Sequence, residues 1–436
     1  MPALAQPRRP PPNRGAPLSS GPPPVPGGAR ERYARVLRAP HARALLAAEL
    51  PARLPVGING IALVLFMRQH SGSYAEAGAV AAGFGLAVGL SAPLIGRMID
   101  RRGLVGVVVP FTVLHAICML ALVVCGIEGA PVVLLVVLAA LAGAFIPPLG
   151  SISRSLWPRI LEHEDPGLLG TALALEGVLI ELIFVAGPLL TAVLAAVWDP
   201  AVALVLSPIL LCAGLAGFLA QPPVRSWRIS DDAEHHGPMG ALRSPGIRTL
   251  VLVTLPMGFC FGAMEVTLPA FAEAHGHRPL AGVLVATWSF GSAIGGLAYG
   301  ARSWSGAPGR RYARLAMLLP LGYLPLALAP SLPLMIPLAL LAGCCIAPTL
   351  TAGNQIAGEV APPGAETEAY TWPVTALVVG LAIGNTAAGA LVEGPGWRTA
   401  FLVSACGAAG SAALAALRWR TLAGDGDRYG ANTVEA

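Results

Sequence analysis

The chain has 436 residues, 55% of them apolar and only 12% charged. Soluble globular domains carry roughly 25% charged residues, so this composition excludes one and points to a chain embedded in a bilayer. The net charge of +5 rests on arginine alone, there being no lysine, and the arginines are scattered among short polar stretches. That scatter argues against a nucleic-acid partner and for a membrane-topology signal.

Residues 1–43 are rich in Pro, Gly and Arg with no apolar run, and read as a disordered tail. The first apolar run begins near Ala44, too late for a secretory signal. Twelve apolar stretches follow, at 44–66, 76–96, 105–126, 131–153, 169–196, 200–220, 248–271, 280–300, 313–330, 333–353, 369–392 and 397–418. Each has about the 20 residues that a ~30 Å hydrocarbon core requires. Pro55, Pro188, Pro256 and Pro348 predict kinks within them. The expected fold is an all-α polytopic membrane protein of 12 transmembrane helices. A polar linker at 221–247 separates a first half at 44–220 from a second at 248–418, and 419–436 forms a second tail. These limits put 24 arginines on the side of both termini and three, Arg68, Arg278 and Arg398, on the other, with Arg53 inside span 1. The excess predicts cytoplasmic termini in a multi-pass protein of the cell membrane.

The halves repeat. Leu54-Pro55-x-Gly57 recurs as Leu255-Pro256-x-Gly258, an offset of 201, and Leu141-Ala142-Gly143-x-x-Ile146-x-Pro148 recurs as Leu341-Ala342-Gly343-x-x-Ile346-x-Pro348, an offset of 200. Between spans 2 and 3 stands the densest charge cluster, Gly96-Arg97-Met98-Ile99-Asp100-Arg101-Arg102-Gly103. Charges this close cannot sit among lipid tails, so the segment must be a tight aqueous turn. Gly96, Asp100, Arg101 and Gly103 in this spacing resemble the signature turn between helices 2 and 3 of the major facilitator superfamily of secondary transporters. Taken with the repeat, the resemblance covers residues 44–418. Two departures stand out: Leu104 and Val105 replace the family's further basic residues, and Trp304 stands where the second half's turn would carry Asp.

The resemblance implies two pseudo-symmetric six-helix halves, with a substrate path between them lined by spans 1, 4, 7 and 10, assisted by 2, 5, 8 and 11. Ionisable groups in those spans are Glu49 and Arg53, Glu176 and Glu181, and Glu265. At 1.5 Å per residue Arg53 and Glu176 both lie roughly 13 Å from the cytoplasmic face and can pair, whereas Glu265 lies roughly 25 Å in. Glu49 competes for Arg53 at the i, i+4 spacing, and the cluster reads equally well as structural or functional. Glu181 lies about 140° round the helix from Glu176 and faces elsewhere. Glu265 has no counterpart in the first half, where Val64 stands. A lone carboxylate in low dielectric binds a proton readily, which makes Glu265 the leading proton-coupling candidate ahead of Glu176 and Glu181. The alternative is a permanently protonated Glu bonded to a neighbouring helix. Asn59, Asn354, Gln355, Asn385, Trp288 and Trp372 are candidates to line the path, helix-to-helix packing being the competing role.

Gly187-Pro188 resembles the core of the glycine-proline motif of the family's antiporters, although the arginine that drug-proton antiporters place early in span 4 is absent between Gly129 and Pro148. Seven cysteines fall in apolar runs without metal-site spacing, and no glycine loop suits a nucleotide, so neither metal nor cofactor is expected. A membrane enzyme would need a histidine beside a carboxylate, and His115, the one histidine within a span, has none near it in sequence. The expected function is therefore non-enzymatic: proton-coupled efflux of a small organic molecule by a monomer, with substrate, protons and the lipid bilayer as partners. A facilitator or importer of a sugar or amino acid is the alternative.

Overall fold

The computed structural model describes residues 28–71, 74–227, 240–277 and 280–422. Most of the first expected tail, part of the linker and nearly all of the second tail lie outside them. In hydrocarbon every backbone N–H and C=O must find its partner within the segment, so an apolar stretch of this length has one outcome, the helix. Spans 1 to 6 are Ala42–Ser71, Tyr74–Arg102, Leu104–Ile127, the pair Val132–Ala144 and Leu149–Ile160, Leu169–Val197 and Pro200–Leu219. Spans 7 to 12 are Pro245–Ala274, Ala281–Gly300, Pro308–Tyr323, the pair Leu332–Gly343 and Ile346–Val360, Glu366–Glu393 and Trp397–Arg418. Eleven candidate membrane spans are long and apolar enough to cross a bilayer unaided. Span 9 is the exception, because Arg310, Arg311 and Arg314 occupy its first turns; the 3₁₀ turn Leu324–Leu328 extends it.

The sequence repeat is a repeat in space. Spans 4 and 10 both break in mid-course, just after Gly143 and Gly343. Pro148 and Pro348 in the recurring motif lack the N–H that would continue the ladder. A Cβ on Gly143 would strike the Phe84 carbonyl of span 2, and one on Gly343 the Trp288 carbonyl of span 8. Within the halves, span 1 packs on 5 and 6 as span 7 packs on 11 and 12. Between the halves there are two seams, span 2 with span 11 and span 5 with span 8. Gly103, at φ +86°, turns span 2 into span 3 within one residue, a conformation open to glycine at little cost.

Besides the turn expected at 96–103, of which residues 96–102 instead continue span 2 as helix and leave the turn to Gly103, two sequence expectations need correction. Residues 29–38, placed in a disordered tail, form a helix with Arg32 and Val36 buried. Its order comes from contacts distant in the chain: Arg32 Nη2 donates to the Gly167 carbonyl and, at 3.3 Å, to Thr171 Oγ1. Second, span 4 runs on to Ile160, so Arg154 belongs to the helix and not to the loop beyond it.

Candidate functional site

Spans 1, 3, 5, 7, 9 and 11 begin at an arginine-rich face. Several of the hydrogen bonds that join the halves among the described residues lie towards it. Asp100, at the end of span 2, accepts from the backbone N–H groups of Thr367 at 3.2 Å and Glu368 at 2.9 Å, capping the free N-terminal donors of span 11. Gly96 allows this approach, since a Cβ there would come within 3.2 Å of the Glu368 backbone. Further in, Thr375 donates to the Gly89 carbonyl at 2.6 Å. Arg101 is half-buried beside Asp100. The other seam shows no carboxylate cap among the described residues: Thr171 of span 5 donates to the Gly300 carbonyl at 2.6 Å, and Tyr33 of the N-terminal helix donates to the Leu297 carbonyl at 2.7 Å. Trp304, in the place of the missing Asp, stacks on Tyr299 and donates to its carbonyl at 2.9 Å. With both seams fastened, this face is closed.

Within the first half lies a sealed charge nest. Arg53 Nη1 donates to Glu49 Oε1 at 2.8 Å and to Glu176 Oε2 at 2.7 Å, so the two carboxyls share the guanidinium where competition was expected. Glu176 Oε1 also accepts from Trp157 Nε1 at 2.9 Å. Ser153 Oγ stands 2.7 Å from Glu176 Oε1 and 3.0 Å from Glu49 Oε2. Glu49, Arg53 and Glu176 are 0%, 4% and 1% exposed. Arg154 is near enough to interact electrostatically with Arg53, Glu176 and Glu49, and with Tyr370 of span 11. Arg154 and Trp157 lie beyond the expected end of span 4 at 153, and Ser153, its last residue, carries no mark of its role in the sequence; the signal available was Pro148, which restarts the helix in a new phase.

Glu265 is placed differently. Thr254, Gly258 and Phe261, on the same face of span 7, are buried, yet Glu265 is exposed. It is not alone, because Asn385 of span 11 hydrogen-bonds to it. Glu181, half-buried, faces Ser292 of span 8.

The remaining candidates divide. Gln355 Oε1 accepts from Tyr299 Oη and Arg311 Nη2, both at 3.1 Å, and its amide abuts Gly170 of span 5, which places it in the seam and not at mid-membrane. Asn354 is half-buried next to it. Trp372 Nε1 donates to Glu368 Oε1 at 3.0 Å near the start of span 11. Trp288 packs edge-on against Phe261 at 5.9 Å inside the second half. Asn59 is fully enclosed in the first half, with neither amide atom hydrogen-bonded. In this conformation Trp288 and Asn59 are therefore buried within their own halves, while Trp372 is half-buried. Gly187 presses on Gly57, where a Cβ would come within 2.7 Å of the Gly57 Cα.

A family model described as Major Facilitator Superfamily matches residues 45–322. No curated protein matches the chain in sequence at a significant level. Among solved structures, the human organic anion transporter MFSD10 superposes with a TM-score of 0.64 at 18% identity, covering 87% of this chain and 99% of that one. A bacterial homologue of the iron transporter ferroportin, in an outward-facing state with soaked iron, gives 0.66 at 14% identity over 87% and 98%. A variant of the E. coli fucose:proton symporter FucP gives 0.64 at 15% identity over 86% and 98%.

Proposed function

The chain belongs to the major facilitator superfamily of membrane transporters, and from that premise we propose that it is a proton-coupled secondary transporter exporting a small organic molecule across the cell membrane, with Glu265 taking up the coupled proton. The reading rests on one observation above all: Glu265 is exposed on a helix face that is otherwise buried, with an amide as its described partner. An amide can donate to an ionised carboxylate or accept from a protonated one, so Asn385 tolerates either charge state. Coupling alternating access to a proton needs such a group, since its charge must change between the two open states. Glu181 and Glu176 stand next in line.

The excess of arginine assigns the closed face, with both termini, to the cytoplasm. In that orientation Gly96, Asp100, Arg101 and Gly103 form the cytoplasmic gate. The close packing of Gly57 on Gly187, beside Pro188, favours export, because it is the part of the antiporter-like motif that holds spans 1 and 5 together. The fucose:proton symporter among the structural relatives keeps import of a sugar as the second reading. A thermal-shift screen of the purified protein against metabolites and antibiotics selects a compound, whose uptake into inverted vesicles is then followed with and without a pH gradient. Gradient-dependent uptake is expected. Equal uptake without a gradient would overturn the coupling, and accumulation only in right-side-out vesicles would reverse the direction.

A further inference from the structure

The nest in the first half contains more acceptors than its hydrogens can serve. Ser153 has one hydroxyl hydrogen, yet its Oγ lies 2.7 Å from Glu176 Oε1 and 3.0 Å from Glu49 Oε2. It can donate to one of them only. The Glu49 carboxyl also lies within hydrogen-bonding reach of the Glu176 carboxyl. Two ionised carboxylates at that range repel, and one proton between them turns repulsion into a bond.

The donors decide which carboxyl carries it. Glu176 receives Arg53 Nη1, Trp157 Nε1 and the Ser153 hydroxyl, which is the setting of an ionised carboxylate, while Arg154 stands near both carboxyls. Glu49 receives Arg53 Nη1 on Oε1 and keeps Oε2 against a serine oxygen whose hydrogen is already used. No other charge reaches it from span 6, because Pro200–Leu219, which packs on span 1, contains no Asp, Glu, Arg or His. The geometry points to Glu49 as a proton-binding site: in this conformation its Oε2 carries a hydrogen that it donates to Ser153 Oγ, while Ser153 donates to Glu176. Moving both hydrogens along this line passes the proton from Glu49 to Glu176 and leaves Ser153 neutral. Glu49 is seven residues into span 1, roughly 10 Å from the arginine-rich face. The second segment of span 4, which carries Ser153, packs on span 11, so parting these two opens the nest to water on that side. Use of this proton in transport rests on the coupled reading above; its presence does not.

The test uses the full-length protein in lipid nanodiscs at neutral pH, without substrate. An infrared difference spectrum of wild type minus Glu49→Gln should show the loss of one carbonyl band of a protonated carboxylic acid. Thermal unfolding assigns the proton. Gln imitates a neutral Glu, so Glu49→Gln should leave the melting temperature nearly unchanged, while Glu176→Gln lowers it by several degrees. Absence of an acid band in the difference spectrum would overturn the proposal, as would a Glu49→Gln protein that unfolds at or below the temperature of Glu176→Gln or fails to fold. Transport by Glu265→Gln can fail or succeed independently of either result.

Discussion

The span 1 and span 5 pair of the first half and the span 7 and span 11 pair of the second are the same element by symmetry, and they treat a carboxylate in opposite ways. In the first half Glu176 is wrapped by a guanidinium, an indole and a hydroxyl, with no water access in this conformation. The offset of 201 carries Glu49 and Arg53 onto Leu250 and Thr254, so the second half has no such nest. There Glu265 stands open with an amide beside it. The difference lies in the number of donors, three side chains on Glu176 against the one amide on Glu265.

The sharpest way to break this contrast is to remove the committed cation. Arg53→Gln removes the guanidinium bonded to both buried carboxyls and leaves only the more distant Arg154 as counter-charge, and loss of one partner from a buried pair costs about 3–5 kcal/mol. Thermal unfolding should show this large loss, whereas Glu265→Gln, a surface-like change, should alter stability by less than about 1 kcal/mol. Equal losses would erase the distinction. The next largest effect tests the frame around the nest. Gly57→Ala drives a methyl into the Ile183 backbone of span 5, and overpacking of this kind costs about 1–3 kcal/mol. Gly60→Ala, with nothing within 4 Å of its Cβ, is the control and should be silent.

The two seams extend the comparison. Asp100→Asn keeps the shape but removes the charge that caps span 11, an effect of about 1 kcal/mol, or roughly fivefold in the population of the closed face. Spin-label distances between the ends of spans 2 and 11 should lengthen in a larger fraction of molecules, with expression and orientation unchanged. Tyr33→Phe should loosen the span 5 and span 8 seam by about 0.5 kcal/mol, the low end for one hydrogen bond, and leave the Asp100 seam alone. Burial raises the Tyr33 pKa from 10.0 to about 12. The bond therefore contributes fully below about pH 10 and is lost as pH rises towards 12, so that spin-label distances across this seam should be flat through the physiological range.

The fold was legible because hydrocarbon permits so few structures. The apolar stretches marked the spans, and Pro348 marked the break in span 10; the matching break in span 4 went unread although the repeat carries Pro148, and spans 1, 5 and 7 run unbroken through Pro55, Pro188 and Pro256. The Arg53 and Glu176 pair could be read from equal depths, and the cap by Asp100 from the start of span 11 near Glu368. The helix at 29–38 could not, because Arg32 is ordered by Gly167 and Thr171, more than a hundred residues away. Arg154 and Trp157 were hidden for a different reason. Hydropathy falls just after 153, which sets the apparent end of the span where the nest begins. Nor could sequence pair Glu265 with Asn385, since the contact depends on the relative rotation of spans 7 and 11.

The measurement closest to the central claim compares two transport modes in proteoliposomes containing Glu265→Gln, using the compound selected by thermal shift. Gln retains the shape and hydrogen bonding of a neutral Glu but cannot release a proton. Gradient-driven accumulation should be abolished, while exchange of the compound at equal concentrations on both sides persists. Accumulation at the wild-type rate, with the wild-type pH dependence, would contradict the account and show that Glu265 is a permanently neutral structural residue.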